Sequence, residues 1–157
     1  MRKLNYKLHT NAPVKIVWSI ISDVDNYHQY IKYCMSSKLQ GKFEEGSSWY
    51  DWSTVAFLPL KINHKIIKIV PNQKVLYKIE MPFGNIWQTL QISKTKPTSV
   101  SLAVTIDIPN QFLEKTLGTI IYIRNKKMLA STMNNFKNNF SQYLAKSNSA
   151  GKKQALF

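Results

Sequence analysis

Cysteine is nearly absent from this chain of 157 residues, since Cys34 is the only one. A single cysteine cannot form an internal disulfide, which is typical of proteins from a reducing compartment. A chain of this length needs no disulfides, because one domain of this size buries roughly 70% of the surface that its unfolded form exposes. We therefore predict one domain and a cytoplasmic location.

Long hydrophobic runs are also missing. The first ten residues, MRKLNYKLHT, contain no apolar core of the kind found in secretory signals. Nowhere does the sequence approach the roughly 18 consecutive apolar residues of a membrane-spanning helix. These two absences predict a soluble protein.

Acidic residues are few, at 8 against 22 basic ones, and the net charge is +14. Such a balance indicates an anionic partner, which could be nucleic acid, an anionic membrane or an anionic ligand. However, only two of the basic residues are Arg, and the lysines are spread along the whole chain. This distribution is typical of a compositional bias and disfavours a nucleic-acid partner, whereas transient contact with an anionic membrane stays open.

Motifs that bind metals or nucleotides are missing too. The three histidines, His9, His28 and His64, are isolated from one another, and the carboxylates form no cluster with them. There is no G-x-S-x-G, G-x-G-x-x-G, P-loop or C-x-x-C sequence. We predict no metal and no cofactor.

Alternating apolar and polar residues are abundant over the first two thirds of the chain. Residues 3–10 alternate as a half-buried strand, and Pro13 then opens a helix that is followed by a short helical turn at residues 25–30. Six further segments between residues 32 and 108 have strand periodicity, and residues 60–70 show it most clearly. We predict seven antiparallel strands, with two short helices after the first.

The last third of the chain carries helical periodicity. Residues 117–144 contain no Pro, and their apolar residues recur mostly at steps of three and four. Beyond them the sequence becomes polar and rich in Lys and Ser, which predicts a disordered tail over residues 146–157. The domain is therefore expected to span residues 1–145.

A single helix is too narrow to cover such a sheet. Seven strands at about 4.8 Å spacing make a sheet about 34 Å wide, whereas a helix with its side chains is about 10–12 Å across. The sheet must therefore curl around the helix, and rigid elements arranged in this way tend to leave a cavity. A cavity lined by apolar and aromatic groups is typical of a small-molecule site.

Several sequence patterns resemble one known superfamily. The opening Ala12-Pro13-x-x-x-Val17-Trp18-x-x-Ile21-x-Asp23, followed by Tyr27 and Tyr30, is similar to its "A-P-x-x-V-W-x-x-(L/I)-x-D…Y" pattern, with one extra residue after Pro13. Residues 71–77 and 133–140 also match, and the resemblance covers roughly residues 3–144. The chain resembles the START/Bet v 1-like (SRPBCC) superfamily, most of all its polyketide cyclase/dehydrase and lipid-transport branch.

This resemblance implies an α+β helix-grip fold, in which a curved seven-stranded antiparallel sheet wraps around a long C-terminal helix. It implies little about activity, because one fold hosts many functions. A shorter match, over Asp23-Val24-Asp25-x-Tyr27…Tyr33-Cys34, is similar to the branch of ubiquinone-binding chaperones and a ribosome-associated toxin.

The candidate ligand-binding residues are those that strand or helix periodicity directs toward the space between sheet and helix, and those whose aromatic or thioether side chains suit an apolar ligand. For Trp87, strand alternation argues against an inward position, because Trp87 has the opposite parity to Leu90 and Ile92. The predicted set consists of Trp49, Ile62, His64, Tyr77, Met81, Phe83, Trp87, Ile121, Met128 and Met133.

His64 is the ionisable residue most suited to chemistry. It shares a face with Ile62 and Ile66, so a neutral imidazole would point inward, where it could bind a ligand or act as a general base. Asp51 shares parity with Trp49 and could face His64 across paired strands. These two residues are the candidates for an acid–base pair, although a core histidine with a polar neighbour would show the same pattern.

Three functions remain open from the sequence. The favoured one is binding, and possible transport, of a hydrophobic or lipid-like molecule by a monomer or homodimer. The second is a cyclase/dehydrase-type enzyme that acts on an aromatic or polyketide-like substrate in the same cavity. The third is a basic module that contacts RNA, the ribosome or an anionic membrane, whose binding would weaken steeply with salt.

Overall fold

The computed structural model of the chain describes residues 1–55 and 58–154. It has seven strands and two groups of helices, in the order that the sequence predicts. The elements are β1 (Arg2–Thr10), α1 (Val14–Ser22), a 3₁₀ helix (Val24–Gln29), β2 (Cys34–Gln40), β3 (Ser48–Val55), β4 (Leu58–Val70), β5 (Lys74–Met81), β6 (Gly84–Ser93), β7 (Thr98–Asp107), α2 (Gln111–Leu113), a π-helical segment (Glu114–Gly118) and α3 (Thr119–Gln154).

All seven strands belong to one antiparallel sheet in the order β1-β7-β6-β5-β4-β3-β2. From β2 to β7 the chain is a meander, and each strand pairs with the next. β1 and β2 lie at opposite edges of the sheet, so α1 and the 3₁₀ helix must carry the chain from one edge to the other. The predicted α+β architecture is confirmed.

Two irregularities interrupt the strand registers. The register shifts between Cys34 and Ser36 in β2 and between Ile66 and Lys68 in β4. A bulge adds a residue to one strand, increases the local twist and bends the strand. After the β4 bulge, Ile69 instead of Lys68 stands opposite the buried Val75, so the inward face of this strand changes parity partway along.

The C-terminal helical region begins earlier than predicted. It starts at Gln111, in the stretch expected to be a connection, and Asn110 caps it by accepting a hydrogen bond from the backbone N–H of Leu113 at 3.0 Å. Its first turns are fixed to β1, because Arg2 donates to Glu114 Oε1 at 2.7 Å and to Thr119 Oγ1 at 2.9 Å.

The helix also ends later than predicted. α3 continues to Gln154, so residues 146–154 of the expected disordered tail are helical, and residues 155–157 lie outside the described part. This stretch contains no Pro, and its one Gly, Gly151, costs about 1 kcal/mol relative to Ala in a helix, which does not end the helix here. The domain end at residue 145 stays a prediction. No helix within residues 1–55 and 58–154 is long and apolar enough to cross a membrane.

The predicted apolar face of this helical region is only partly buried. Leu129, Met133, Phe136 and Phe140 are in the core, whereas Ile120 is 64% exposed. Leu117 and Tyr143 are exposed as well, so the buried stripe is narrower than the apolar pattern of the sequence.

The second half of α3 lies over a filled core. Phe136 and Phe140 stack with ring centroids 6.0 Å apart, and Tyr30 packs against Phe136 at 5.3 Å. Val17 and Ile21 of α1 are fully buried in the same hydrophobic cluster. These large side chains leave little space at this end of the domain.

Candidate functional site

A cavity of about 400 Å³ lies between the first half of α3 and strands β3 to β7. This volume is within the usual range of ligand sites, roughly 300–1,000 Å³. Its wall is mainly apolar, with polar groups interspersed. It is lined by Tyr27, Ile31, Trp49, Asp51, Ser53, Leu60, Lys61, Ile62, Asn63, His64, Tyr77, Ile79, Glu80, Met81, Pro82, Phe83, Ile86, Gln88, Leu90, Leu102, Ile121, Arg124, Asn125, Met128, Leu129, Thr132 and Phe136.

The structure brings most of the predicted ligand-binding residues together around this cavity. Strand alternation explains this, because β3, β4 and β5 each direct every second side chain toward α3. Whether these side chains contact a ligand stays a prediction. The predicted residues that line the cavity are Trp49, Ile62, His64, Tyr77, Met81, Phe83, Ile121 and Met128.

Trp87 does not line the cavity, so its prediction is wrong. It stands between Ile86 and Gln88, which both face inward, and therefore points to the other side of the sheet. There it lies opposite Lys78 of β5, whose Nζ is 5.3 Å from the centre of the indole ring. No bulge in β6 corrects the register that its sequence position implies.

Met133 is buried but also lies away from the cavity. The cause is helical rotation. Met133 follows Met128 by five residues, which is about 140° around a helix of 3.6 residues per turn. Thr132 follows Met128 by four residues and does line the cavity. The two methionines therefore face different parts of the interior.

Asp51 and His64 form a buried pair in the cavity wall. Trp49 of β3 stands opposite His64 of β4, so Asp51 lies diagonally across from the imidazole. Asp51 Oδ2 is 2.7 Å from His64 Nε2, and Ser53 Oγ donates to Asp51 Oδ1 at 2.6 Å. Since an ionised carboxylate only accepts hydrogen bonds, the Nε2 atom carries the proton and donates a hydrogen bond to Asp51.

Aromatic rings fix the orientation of His64. The indole of Trp49 stacks on the imidazole with centroids 4.4 Å apart and an angle of 8° between the planes. Tyr77 meets the edge of Trp49 at 4.6 Å, and its hydroxyl lies 3.2 Å from that of Tyr27. Burial raises the pKa of both tyrosines well above the usual 10.0, so both hydroxyls remain protonated at physiological pH.

Arg124 brings a positive charge to the same wall. Its guanidinium donates a hydrogen bond to the carbonyl oxygen of Thr54 at the end of β3. Burial lowers the pKa of Arg124, while interactions with Tyr33 and Asp51 raise it. The residue nevertheless stays charged at any physiological pH, because the ordinary pKa of arginine is above 12.

The Asp51 charge also acts on Cys34, across the β2–β3 pairing. The pKa of the Cys34 thiol rises from 9.0 to about 12, first because the thiol is buried and second because the carboxylate of Asp51 is near. The thiol also donates a hydrogen bond to the Ser36 carbonyl oxygen at 3.4 Å. Backbone hydrogen bonding by Ser36 lowers the pKa of Cys34 but does not offset these two effects.

Several polar residues of the wall are not in the predicted set, although the sequence carries a signal for two of them. Ser53 has the same parity as Asp51, so it had to share the inward face of β3. Arg124 is one of only two arginines among 22 basic residues, and it follows Ile121 by three positions on the helix. Asn125 and Thr132 had no comparable signal.

Elsewhere in the molecule the chemistry is sparse. Within the described residues, no group of three or more His, Cys, Asp or Glu side chains could hold a metal ion. An open groove of about 800 Å³ lies near the start of α1 and the β6–β7 turn, and it contains Lys15, Lys94 and Lys96. This groove has no histidine or carboxylate, so the chemistry of the described residues is concentrated in the cavity under α3.

Comparison with solved structures places the fold among known domains. The chain superposes with a TM-score of 0.75 and 12% identity on the di-domain ARO/CYC StfQ from the steffimycin biosynthetic pathway, covering 91% of this chain and 51% of that one. The chain therefore spans about half the length of that relative.

Two single-domain structures are similar over nearly their full length. The protein TTHA0849 from Thermus thermophilus has a TM-score of 0.73 at 12% identity, with 90% of this chain and 99% of that chain covered. A START superfamily protein from Mycobacterium smegmatis has a TM-score of 0.64 at 12% identity, with coverages of 90% and 98%. At such low identity these matches show a shared helix-grip fold.

A family model gives the assignment directly. No curated protein matches the chain. The model that describes polyketide cyclase/dehydrase and lipid transport proteins, however, matches residues 1–141, which is most of the chain. The resemblance seen in the sequence is therefore confirmed, and the chain belongs to the polyketide cyclase/dehydrase and lipid transport family.

Proposed function

We propose that this protein binds a hydrophobic small molecule in the cavity between α3 and the sheet. The observation that carries the proposal is the cavity itself, which is about 400 Å³ in volume and mainly apolar, in a domain whose other end is densely packed. Moving apolar surface from water into such a site is favourable by roughly 25 cal/mol per Å². Family membership supports the same class of function.

A variant that fills the cavity tests this proposal. Ile121 lines the cavity, whereas Ile123, two residues further along α3, is 50% exposed. Ile121→Trp puts an indole into the space that a ligand would occupy, and Ile123→Trp puts the same group on the surface. We choose 2-methoxynaphthalene as the probe, because it is apolar, rigid and bicyclic, and isothermal titration calorimetry as the readout.

The expected result is that the wild type and Ile123→Trp bind the probe equally, while Ile121→Trp binds it at least about tenfold more weakly, a difference of about 1.4 kcal/mol. Equal binding by all three proteins would place the probe elsewhere and contradict the proposal. Failure of the wild type to bind the probe would also count against it.

The second candidate is catalysis of the cyclase/dehydrase kind on an aromatic or polyketide-like substrate in the same cavity. The buried Asp51–His64 pair favours it, because a carboxylate that orients an imidazole is a common arrangement for a general base. His64→Ala separates the two functions. An enzyme would lose turnover of such a substrate, whereas a binding protein would keep most of its affinity for a ligand without a hydroxyl group.

A further inference from the structure

The ring of His64 has one nitrogen in use and one without a partner. Nε2 donates to Asp51, but the described residues provide no hydrogen-bond partner for the buried Nδ1 atom. His64 is only 8% exposed, and its ring belongs to the cavity wall. A buried polar atom without a partner costs roughly 1–3 kcal/mol, so the arrangement is unfavourable until something satisfies it.

The chemical character of Nδ1 follows from the groups behind it. Ser53 donates to one oxygen of Asp51, and His64 donates to the other. In a neutral imidazole, only one nitrogen carries a proton. Because Asp51 accepts the hydrogen bond from the protonated Nε2, Nδ1 presents a lone pair and acts as an acceptor.

We infer that His64 Nδ1 is a specificity-determining atom that accepts a hydrogen bond from the hydroxyl group of an alcohol or phenol on the apolar ligand. This inference rests on the proposed function. Asp51 and Ser53 are positioning residues, because they set the tautomer of His64.

A pair of probes that differ only at one oxygen tests the inference. 2-Naphthol can donate a hydrogen bond, and 2-methoxynaphthalene cannot. With the wild type, we expect 2-naphthol to bind about tenfold more tightly, which is the usual effect of one hydrogen bond to a buried partner. Calorimetric titration of both probes gives this ratio directly.

His64→Gln removes the acceptor while retaining a donor for Asp51. The glutamine amide reaches the position of Nε2, but the side chain has no polar atom at the position of Nδ1. The variant should bind the two probes with equal affinity, because neither probe then finds an acceptor at the position of Nδ1.

Asp51→Asn tests the tautomer. The amide of the new residue can accept from Ser53 through Oδ1 and donate to His64 Nε2 through its NH₂ group, which moves the imidazole proton to Nδ1. His64 would then donate to the ligand. The preference should fall from about tenfold to none, because the oxygen of either probe can accept this hydrogen bond.

Wild-type ¹⁵N NMR of the imidazole provides a measurement that needs no variant. We expect a proton on Nε2 alone, and a change in the Nδ1 chemical shift when 2-naphthol is added but little change with 2-methoxynaphthalene. Any one of three results would overturn the inference: equal affinity of the wild type for both probes, an undiminished preference in His64→Gln, or an imidazole ring protonated on both nitrogens. None of these results would contradict the proposed function. Binding of neither probe would contradict both.

Discussion

The two halves of α3 lie over different kinds of interior. Residues 121–132 line a cavity with a buried, hydrogen-bonded Asp–His pair in its wall, Phe136 lies at its boundary, and the rest of residues 133–140 face a core filled by aromatic rings. The same sheet and the same helix build both regions, so the fold itself does not decide whether the space is filled. The difference lies in the side chains, because Tyr30, Phe136 and Phe140 pack on one another and fill one end. At the other end the wall combines aromatic rings with smaller polar groups such as Asp51, Ser53 and Thr132.

This contrast separates stability from function. We call the interior under residues 133–140 the packed half and the interior under residues 121–132 the hollow half. In the packed half every removed atom leaves a void, whereas in the hollow half a void already exists. Substitutions should therefore mainly change the free energy of unfolding in the first region and mainly change ligand binding in the second. Matched substitutions in the two regions test this division, and the largest effect is expected in the packed half.

Removal of a ring from the packed half should have the largest effect on stability. Phe140 is fully buried, so Phe140→Ala should lower the free energy of unfolding by about 3–5 kcal/mol. Met128→Ala, in the cavity wall, should cost less than half as much, because the side chain borders space that is already empty. Urea denaturation measures both, and equal losses would contradict the contrast.

Added side-chain volume should lower the free energy of unfolding more in the packed half than in the hollow half. Val17 is fully buried and lies outside the cavity, so Val17→Phe should overpack the core and cost about 1–3 kcal/mol. Ile121→Trp adds more atoms, but into open space, and should change the unfolding free energy by less than about 1 kcal/mol. If Ile121→Trp proved the more damaging of the two in thermal unfolding, the cavity would not be able to hold an added ring.

The negative charge of Asp51 should be detectable through the reactivity of the Cys34 thiol. Since the pKa of this thiol is raised to about 12, it stays neutral at pH 8, and its reaction with iodoacetamide should be on the order of a hundredfold slower than in unfolded protein. The raised pKa also means that stability falls as the pH rises from about 9 toward 12, because only the unfolded thiol ionises there.

The matched control for this reaction is Asp51→Asn. Loss of the negative charge should speed the alkylation of Cys34 modestly, since burial, the larger cause of the shift, remains. A reaction of folded wild type as fast as that of the unfolded chain would show that the thiol is not shielded.

Trp87 should give the smallest effect. It lies on the outer side of the sheet against Lys78, so Trp87→Ala should leave the affinity for 2-methoxynaphthalene unchanged within about twofold and cost about 0.5–1 kcal/mol of stability. Trp49→Ala is the comparison, because it removes the ring that stacks on His64 in the cavity wall. Similar losses of probe affinity in the two variants would contradict the assignment of faces.

Periodicity accounts for the part of the molecule that could be predicted. Alternation along β3, β4 and β5 identified the inward residues Trp49, Asp51, His64 and Tyr77, because a strand turns every second side chain to the same side. The same rule already argued against an inward position for Trp87. The ends of the C-terminal helix could not be located in this way, since residues without Pro or strong apolar periodicity fit both a helix and a loop.

Contacts between elements could not be predicted from periodicity. The Asp51–His64 distance depends on the register in which Trp49 stands opposite His64, and nothing local in the sequence sets that register. The different faces of Met128 and Met133 likewise depend on how α3 is rotated over the sheet. The position of the arginine of α3 in the cavity wall has the same origin.

The methionine methyl groups provide the most direct test of the central claim, that the hollow half of the interior is a ligand-binding cavity. The five methionines sample both regions and the surface. Met81 and Met128 line the cavity, Met133 is buried outside it, and Met1 and Met35 are exposed. ¹³C-methyl labelling of methionine gives one NMR signal for each.

On titration with 2-methoxynaphthalene, the signals of Met81 and Met128 should shift, because aromatic ring currents act only on nearby nuclei. The signals of Met133, Met1 and Met35 should stay in place. Shifts confined to Met1 and Met35, or no shift in any of the five signals at saturating probe, would contradict the account.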